Sequence, residues 1–184
     1  VVGECAKVFG PFDLDSGTAL PPTVVGEDSF CINDLTGKLF NVDGPIDGYV
    51  YEWTFPTGVS GNLLNAPAND MAEIDFTNYD FNANEPILIV ANTPCGISEA
   101  YELYVSTVDL PVPTFTVVSP VCVGDLAEAN FTGDQSMVSE YIWSTDNYNS
   151  GNQSSAGPVN YSTSAPGFYD VTLITVNLEG CESE

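Results

Sequence analysis

The sequence predicts an all-β chain folded as two β-sandwiches in tandem, and three observations carry that expectation. First, Tyr51-Glu52-Trp53 returns as Tyr141-Ile142-Trp143, with the two Trp 90 residues apart. Second, cysteines travel with the repeat. Cys31 precedes Trp53 by 22 residues and Cys122 precedes Trp143 by 21, and each Trp is followed by a cysteine in a turn, Cys95 and Cys181. Third, Thr, Val, Tyr and Phe are plentiful, 16 Gly and 13 Pro punctuate the chain, and no window holds the apolar period of a helix. Self-similarity at this interval marks a repeat of domain size, long enough to bury its own core.

Taken in order, the chain begins with Gly3-Glu4-Cys5, which matches the later turn cysteines, and continues to Phe12-Asp13-Leu14-Asp15, whose alternation suits a strand. Residues 1–22 are therefore read as the last strand of a preceding repeat, closed by the stiff Pro21-Pro22. Residues 23–110 form the first full repeat, with strands expected near 23–25, 35–42, 48–55, 71–77, 86–92 and 99–107. Turn chemistry separates them at Asp43-Gly44-Pro45, Asp47-Gly48, Pro56-Thr57-Gly58 and Cys95-Gly96. Within 48–55 the two-residue period puts Tyr51 and Trp53 on one face and Glu52 and Thr54 on the other, as in a half-buried strand with an aromatic core.

Asp109-Leu110-Pro111-Val112-Pro113 is the second junction, and residues 111–184 form the second repeat. Its strands are expected near 114–118, 126–132, 140–144, 159–163 and 167–177, with Tyr141, Trp143 and Tyr169 in the core. The Asn- and Ser-rich stretch 146–157 reads as a long exposed loop. Only three residues follow Cys181, so the strand that 99–107 supplies in the first repeat has no counterpart here. An open edge is expected in the second sandwich, filled either by continuing chain or by strand addition from a neighbouring molecule.

Composition narrows the function. The chain has 26 acidic residues, two Lys, and no Arg or His, for a net charge of −24. That balance repels nucleic acid and anionic lipid and provides no phosphate clamp. No stretch is apolar enough to span a membrane, and the N-terminus lacks the regions of a signal peptide, so an interior slice of a mature protein is expected. Without His, the Ser-His and Cys-His nucleophile pairs are impossible. Acid pairs such as Asp13 with Asp15, Glu73 with Asp75 and Asp125 with Glu128 read as solvated surface, not as a catalytic pair in a cleft. The chain is therefore read as non-enzymatic and without an obligatory cofactor.

Calcium takes six to eight oxygen ligands, and two oxygen-rich bends are the candidate positions: Asp43 with Asp47, and Asp70 with Glu73 beside Asn69. Neither has the ligand spacing of a calcium loop. Tyr148 is the single candidate for stacking on a surface glycan. Five cysteines at repeated positions, without a Cys-x-x-Cys pair, read as disulfide formers and place the chain outside the cytoplasm.

The segments Ser29-Phe30-Cys31, Tyr51-Glu52-Trp53-Thr54-Phe55-Pro56-Thr57-Gly58, Val90-Ala91-Asn92 and Cys95-Gly96-Ile97-Ser98 resemble the PKD-like, immunoglobulin-like repeats of very large surface and secreted proteins of Bacteroidota. The second repeat shares the resemblance through Val121-Cys122-Val123-Gly124-Asp125, Tyr141-Ile142-Trp143, Gly167-Phe168-Tyr169 and Gly180-Cys181. It implies tandem immunoglobulin-like sandwiches at the cell surface, exported by the type IX route, in a gliding-type adhesin, a filament or a multidomain enzyme. The first repeat departs from the pattern at Glu85-Pro86-Ile87, where the corner aromatic of Gly167-Phe168-Tyr169 is missing.

Within that family picture the obvious disulfides are Cys31–Cys95 and Cys122–Cys181, with Cys5 left to a partner outside the chain. The alternative is a bridge between adjacent repeats, because the two positions lie at opposite ends of an ordinary sandwich and a bridge needs Cα atoms within about 7 Å. Three functions follow. The first is a structural repeat segment of a long extracellular adhesin or filament, whose partners are neighbouring repeats or subunits. The second is a glycan-binding or calcium-dependent accessory module of a secreted enzyme. The third is a filament subunit whose N-terminal strand completes the second sandwich of the next.

Overall fold

The computed structural model describes residues 19–145 and 148–184, and the side chains of 148–153 are not described. The expectations for residues 1–18, including Cys5 and the pair Asp13 and Asp15, lie outside these residues. Strands dominate. The first ten are β1 Val24–Gly26, β2 Ser29–Cys31, β3 Lys38–Val42, β4 Val50–Thr54, β5 Ser60–Leu64, β6 Met71–Asp75, β7 Ile87–Thr93, β8 Gly96–Ile97, β9 Tyr101–Leu103 and β10 Ser106–Val108. The remainder are β11 Phe115–Val117, β12 Leu126–Phe131, β13 Glu140–Thr145, β14 Tyr148–Gln153, β15 Val159–Ser162, β16 Val171–Val176 and β17 Glu182–Ser183. The one helical element among the described residues is a short 3-10 turn, Gln135–Met137.

Two units share the chain. One takes Val1–Asp28 and Thr36–Val105, the other Ser29–Leu35 and Ser106–Glu184. In the first unit the sheet orders are β1-β3-β6-β5 and β4-β7, with β8 and β9 both paired to β7. This is the A-B-E-D and C-F-G arrangement of an immunoglobulin-like sandwich. Alternation along β4 buries Tyr51 and Trp53 and exposes Glu52 and Thr54, and Ile87, Ile89 and Ala91 of β7 are buried in the same sheet. Phe40, Val42, Ala72 and Ile74 supply the other sheet's share of the core. The buried aromatics keep their polar atoms satisfied: Trp53 Nε1 donates to the Asn69 carbonyl at 2.9 Å, and the Tyr51 hydroxyl accepts from the Ile46 amide at 3.1 Å. The corner aromatic missing before β7 is replaced from elsewhere. The Tyr79 hydroxyl donates to the Glu85 carbonyl at 2.7 Å and accepts from the Glu85 amide at 3.0 Å.

The second unit stacks β11-β12-β15 against β14-β13-β16-β17. Ala129, Phe131, Val159 and Tyr161 from one sheet meet Tyr141, Trp143 and Leu173 from the other. Phe115 sits edge-on to Trp143 with ring centroids 5.2 Å apart, and Phe131 does the same to Tyr141 at 5.1 Å. The two units solve one packing position in opposite ways. Gly26 lies opposite Phe40 and Val117 opposite Ala129, and a Cβ on Gly26 would fall 2.4 Å from the Phe40 ring. Small and large residues exchange strands while the layer keeps its fill.

Four expectations are corrected. The domain edges fall at 105/106, not 110/111, and residues 29–35 leave the first repeat for the second unit. The reason is β2, whose backbone partner is β10: the two run parallel with Ser29 opposite Ser106 and Cys31 opposite Val108, and the Ile32 amide donates to the Val108 carbonyl at 3.1 Å. The stretch expected as a long loop contains β14, which pairs with β13 through a bulge between Ile142 and Ser144. Tyr169 is half-buried and outside the core. Its hydroxyl instead donates back to the Ala165 carbonyl at 2.9 Å, pinning the corner before β16.

The fourth correction concerns the disulfides. The bridge joins Cys31 to Cys181, with Cα atoms 5.5 Å apart, so neither Cys31–Cys95 nor Cys122–Cys181 forms. Cys95 and Cys122 are exposed thiols. The cause is a short relay that runs from a strand pairing through the Asn177 side chain. Pairing with β10 sets Cys31 against Val108, the next carbonyl, Asp109, accepts from Asn177 Nδ2 at 3.2 Å, and Asn177 Oδ1 accepts from the Cys181 amide at 2.8 Å.

Candidate functional site

A concavity lies in the second unit. It has a volume of about 530 Å³ and opens at one end of the sandwich, where the β11–β12 and β15–β16 connections meet. Val117, Val121, Leu126, Tyr161, Tyr169 and Val171 line it, so both sheets contribute. Its rim is apolar as well. Val118, Val123 and Leu126 are more than half exposed, and Phe168 is fully exposed.

The groove adjoins a free strand edge. Along one side β16 pairs with β13 over its whole length, whereas on the other β17 covers only Thr175 and Val176. Among the described residues no strand pairs with that second edge over residues 171–174. The first unit shows what the same position holds when it is filled. There β9 lies on β7 with Leu103 opposite Ile87 and Tyr101 opposite Ile89. Trp53 pairs with Ile89 and Trp143 with Leu173, so Val171 is the counterpart of Ile87. Ile87 is 1% exposed under its covering strand, while Val171 is half-buried and forms part of the groove wall. Groove and free edge are one feature: the place of a last strand.

Such a site can bind an extended peptide, with the backbone of β16 supplying hydrogen bonds and the groove supplying apolar pockets for alternate side chains. Its lining residues include no carboxylate. Two acids elsewhere, Asp75 and Asp134, are tied into local turns. The Asp75 carboxylate accepts from the Thr77 hydroxyl at 2.5 Å and the Thr77 amide at 2.8 Å, which holds its pKa below the usual carboxylate value. Asp134 is held down in the same way by the hydroxyl and amide of Ser136.

The expected calcium ligands do not come together. Asp43 and Asp47 are exposed in the β3–β4 connection, Asp70 accepts from Asn65 Nδ2 at 2.9 Å, and Glu73 is exposed on β6. Among the described residues no three His, Cys, Asp or Glu converge on a metal position. Glu73 and Asp75 lie on one face of β6 and, with Gly37, Ser60 and Asn62, line an open concavity of about 360 Å³, and Asp125 and Glu128 are exposed. Tyr148 opens β14, and its side chain is outside the described residues. The groove itself went unseen in the sequence. The signal was there: Val118, Val121 and Val123 crowd the connection between Val117 and Leu126, which turn composition would make polar.

Comparison with known protein families and with curated proteins finds no match. Among solved structures the chain is similar to fibronectin(III)-like modules of CbhA from Clostridium thermocellum, at 16% identity and a TM-score of 0.43, with 89% of each chain covered.

Proposed function

We propose that this chain is a non-catalytic, load-bearing repeat segment of a long extracellular adhesin or filament. The observation that carries the proposal is the position of the Cys31–Cys181 bridge. It closes a 150-residue span, so a pull on the two ends passes through Val1–Cys31, the disulfide and Cys181–Glu184, bypassing nearly everything between. Load therefore runs along about 35 residues, which reach about 120 Å when fully extended, against roughly 640 Å for the whole chain. A disulfide so placed limits extension. It also belongs to an oxidising compartment, which supports a location outside the cell. The adhesin or filament part of the reading draws on the resemblance of the Tyr-x-Trp strands and cysteine turns to surface repeats.

Force spectroscopy on the chain tests this. With the bridge intact, stretching should release no more than the short terminal segments. With a reductant present, unfolding should add roughly 500 Å of further contour length. Full extension of the oxidised chain would overturn the load-bearing reading. Electron microscopy of the native polypeptide supplies an independent check: a long beaded particle agrees, and a compact particle built around one large additional domain refutes it.

A further inference from the structure

We propose that Asn160 is the attachment site of an N-linked glycan, which guards the uncovered edge of β15 in the second unit. The proposal goes beyond the load-bearing reading and shares with it only a location outside the cell. Two independent observations lead to it.

The first is an acceptor tripeptide that the strand sets out for modification. N-linked transfer uses Asn-x-Ser or Asn-x-Thr, with x not Pro, on an accessible surface. The chain holds three such tripeptides, Asn130-Phe131-Thr132, Asn152-Gln153-Ser154 and Asn160-Tyr161-Ser162. The side chain of Asn152 is outside the described residues. In β15 the two-residue period buries Tyr161 in the core and leaves Asn160 and Ser162 exposed together on the outer face. Asn130-Phe131-Thr132 alternates in the same way on β12, but Asn130 is half-buried and its Nδ2 donates to Glu128 Oε1 at 2.7 Å. The nitrogen that would carry a sugar is engaged there, so Asn160 is the site.

The second observation is the edge on which Asn160 stands. In the first unit β5 closes the sheet β1-β3-β6-β5, whereas the second unit's sheet is β11-β12-β15, and β14 pairs with β13 instead. Among the described residues no strand covers the outer edge of β15. Such an edge offers its amides and carbonyls to any other strand, and proteins commonly guard it with charge. β15 has no charged residue, although the chain carries 26 acids. Ala72 lies opposite Phe40 and Val159 opposite Ala129, so Asn160 and Ser162 stand where the first unit has Glu73 and Asp75. Those acids are flanked by β5, with Asn62 opposite Glu73 and Ser60 opposite Asp75. Residues 19–105 contain no acceptor tripeptide. The covered edge thus has carboxylates and no acceptor, and the uncovered edge has an acceptor and no carboxylate. A glycan is bulky and solvated, and on Asn160 it keeps a second strand away as charge would.

The reaction is a group transfer without redox change. The donor is an oligosaccharide activated as a lipid-linked pyrophosphate, and the catalyst is an oligosaccharyltransferase. Nδ2 of Asn160 attacks the anomeric carbon and the bond from that carbon to the phosphate oxygen breaks. The lipid pyrophosphate leaves with the electron pair, and the proton lost from Nδ2 passes to a base of the transferase.

The test uses the whole chain isolated from its own cells, with intact mass and peptide mapping before and after peptide-N-glycosidase, which leaves Asp wherever a glycan was attached to Asn. Asp should appear at position 160, and the intact mass should fall by that of the glycan. Ser162→Ala should lose the glycan while keeping Asn160, and Ser162→Thr should retain it. Both variants change an exposed side chain, so their circular dichroism melts should match that of wild type once sugars are removed. Asn160→Gln should show a light-scattering mass that rises with concentration, while the glycosylated chain keeps one mass. An unmodified Asn160 peptide, or a Ser162→Ala chain that still carries sugar on Asn160, overturns the proposal. A glycan whose removal leaves association unchanged overturns its role at the edge. None of these results touches the load-bearing reading, which stands or falls on force and particle shape.

Discussion

Removing Cys31 should cost the second unit most of its stability, and the structure sets the size of the loss. If the whole 150-residue span between Cys31 and Cys181 is free in the unfolded state, chain entropy alone gives about 5 kcal/mol. If residues 36–105 stay folded while the second unit unfolds, the free part is about 80 residues and the figure is about 4.5 kcal/mol. A domain of this size has a net stability of roughly 4–13 kcal/mol. At about 4–8 °C per kcal/mol, the melting temperature of the second unit should fall by roughly 20 °C or more. The assay is calorimetry of oxidised and reduced wild type, Cys31→Ser and Cys95→Ser. Oxidised Cys31→Ser should melt where reduced wild type does, and Cys95→Ser should stay within about 0.5 kcal/mol of wild type because its thiol is exposed and free. An equal loss for Cys31→Ser in reduced protein would refute the entropic reasoning. An equal loss for Cys95→Ser in oxidised protein would restore the within-repeat pair.

Three further outcomes are expected. Tyr79→Phe removes both hydroxyl contacts to Glu85 and should destabilise the first unit by about 1–2 kcal/mol in chemical denaturation, while Tyr169→Phe, losing one exposed contact, should cost the second unit about half as much. The Thr175 hydroxyl is wholly buried with no hydrogen-bond partner, and its counterpart on β7 is Ala91, so Thr175→Val should raise the stability of the second unit by about 1 kcal/mol, read as a higher denaturation midpoint. Asp75 and Asp134 have depressed folded-state pKa values. Their contribution is therefore complete above the ordinary carboxylate value and lost as pH falls below about 4. Melting curves from pH 6 to 3 should fall less steeply for the double variant Asp75→Asn, Asp134→Asn than for wild type.

Much of this fold was legible because alternation and turn chemistry are local. Tyr51, Trp53, Tyr141 and Trp143 sit at positions where a two-residue period meets a large aromatic, and all four are buried. The strands that escaped notice are those whose residues say little about burial. In β5, Ser60-Gly61-Asn62 pairs with β6 through its backbone at a sheet edge, and the Asn- and Ser-rich β14 does the same beside β13. An edge strand needs only amides and carbonyls, so polar composition disguises it. Tyr79 was missed for another reason. The corner it makes with Glu85 comes from the preceding loop, and a pattern that expects the aromatic inside Gly-x-Tyr looks in the wrong place.

The disulfide could not be read from spacing, and the reason bears on tandem repeats generally. A cysteine pair inside each repeat and a pair that skips from one repeat to the next leave the same period in the sequence, because both put an early and a late cysteine in every copy. What separates them is where three residues send their hydrogen bonds. Ser29, Phe30 and Cys31 lie beyond the end of β1, and in an isolated sandwich they would connect it to β3. Here they find β10, and Phe30 becomes one of the most buried side chains, at 2% exposure. Burying that ring stabilises by about 2–3 kcal/mol on apolar area alone, so the choice of β10 as partner is driven by packing before any sulfur is oxidised. The bridge then locks a pairing that packing has already selected. Cys95 and Cys122 remain unpaired because the same choice, made once in this chain, leaves the late cysteine of the first repeat and the early cysteine of the second each without its counterpart.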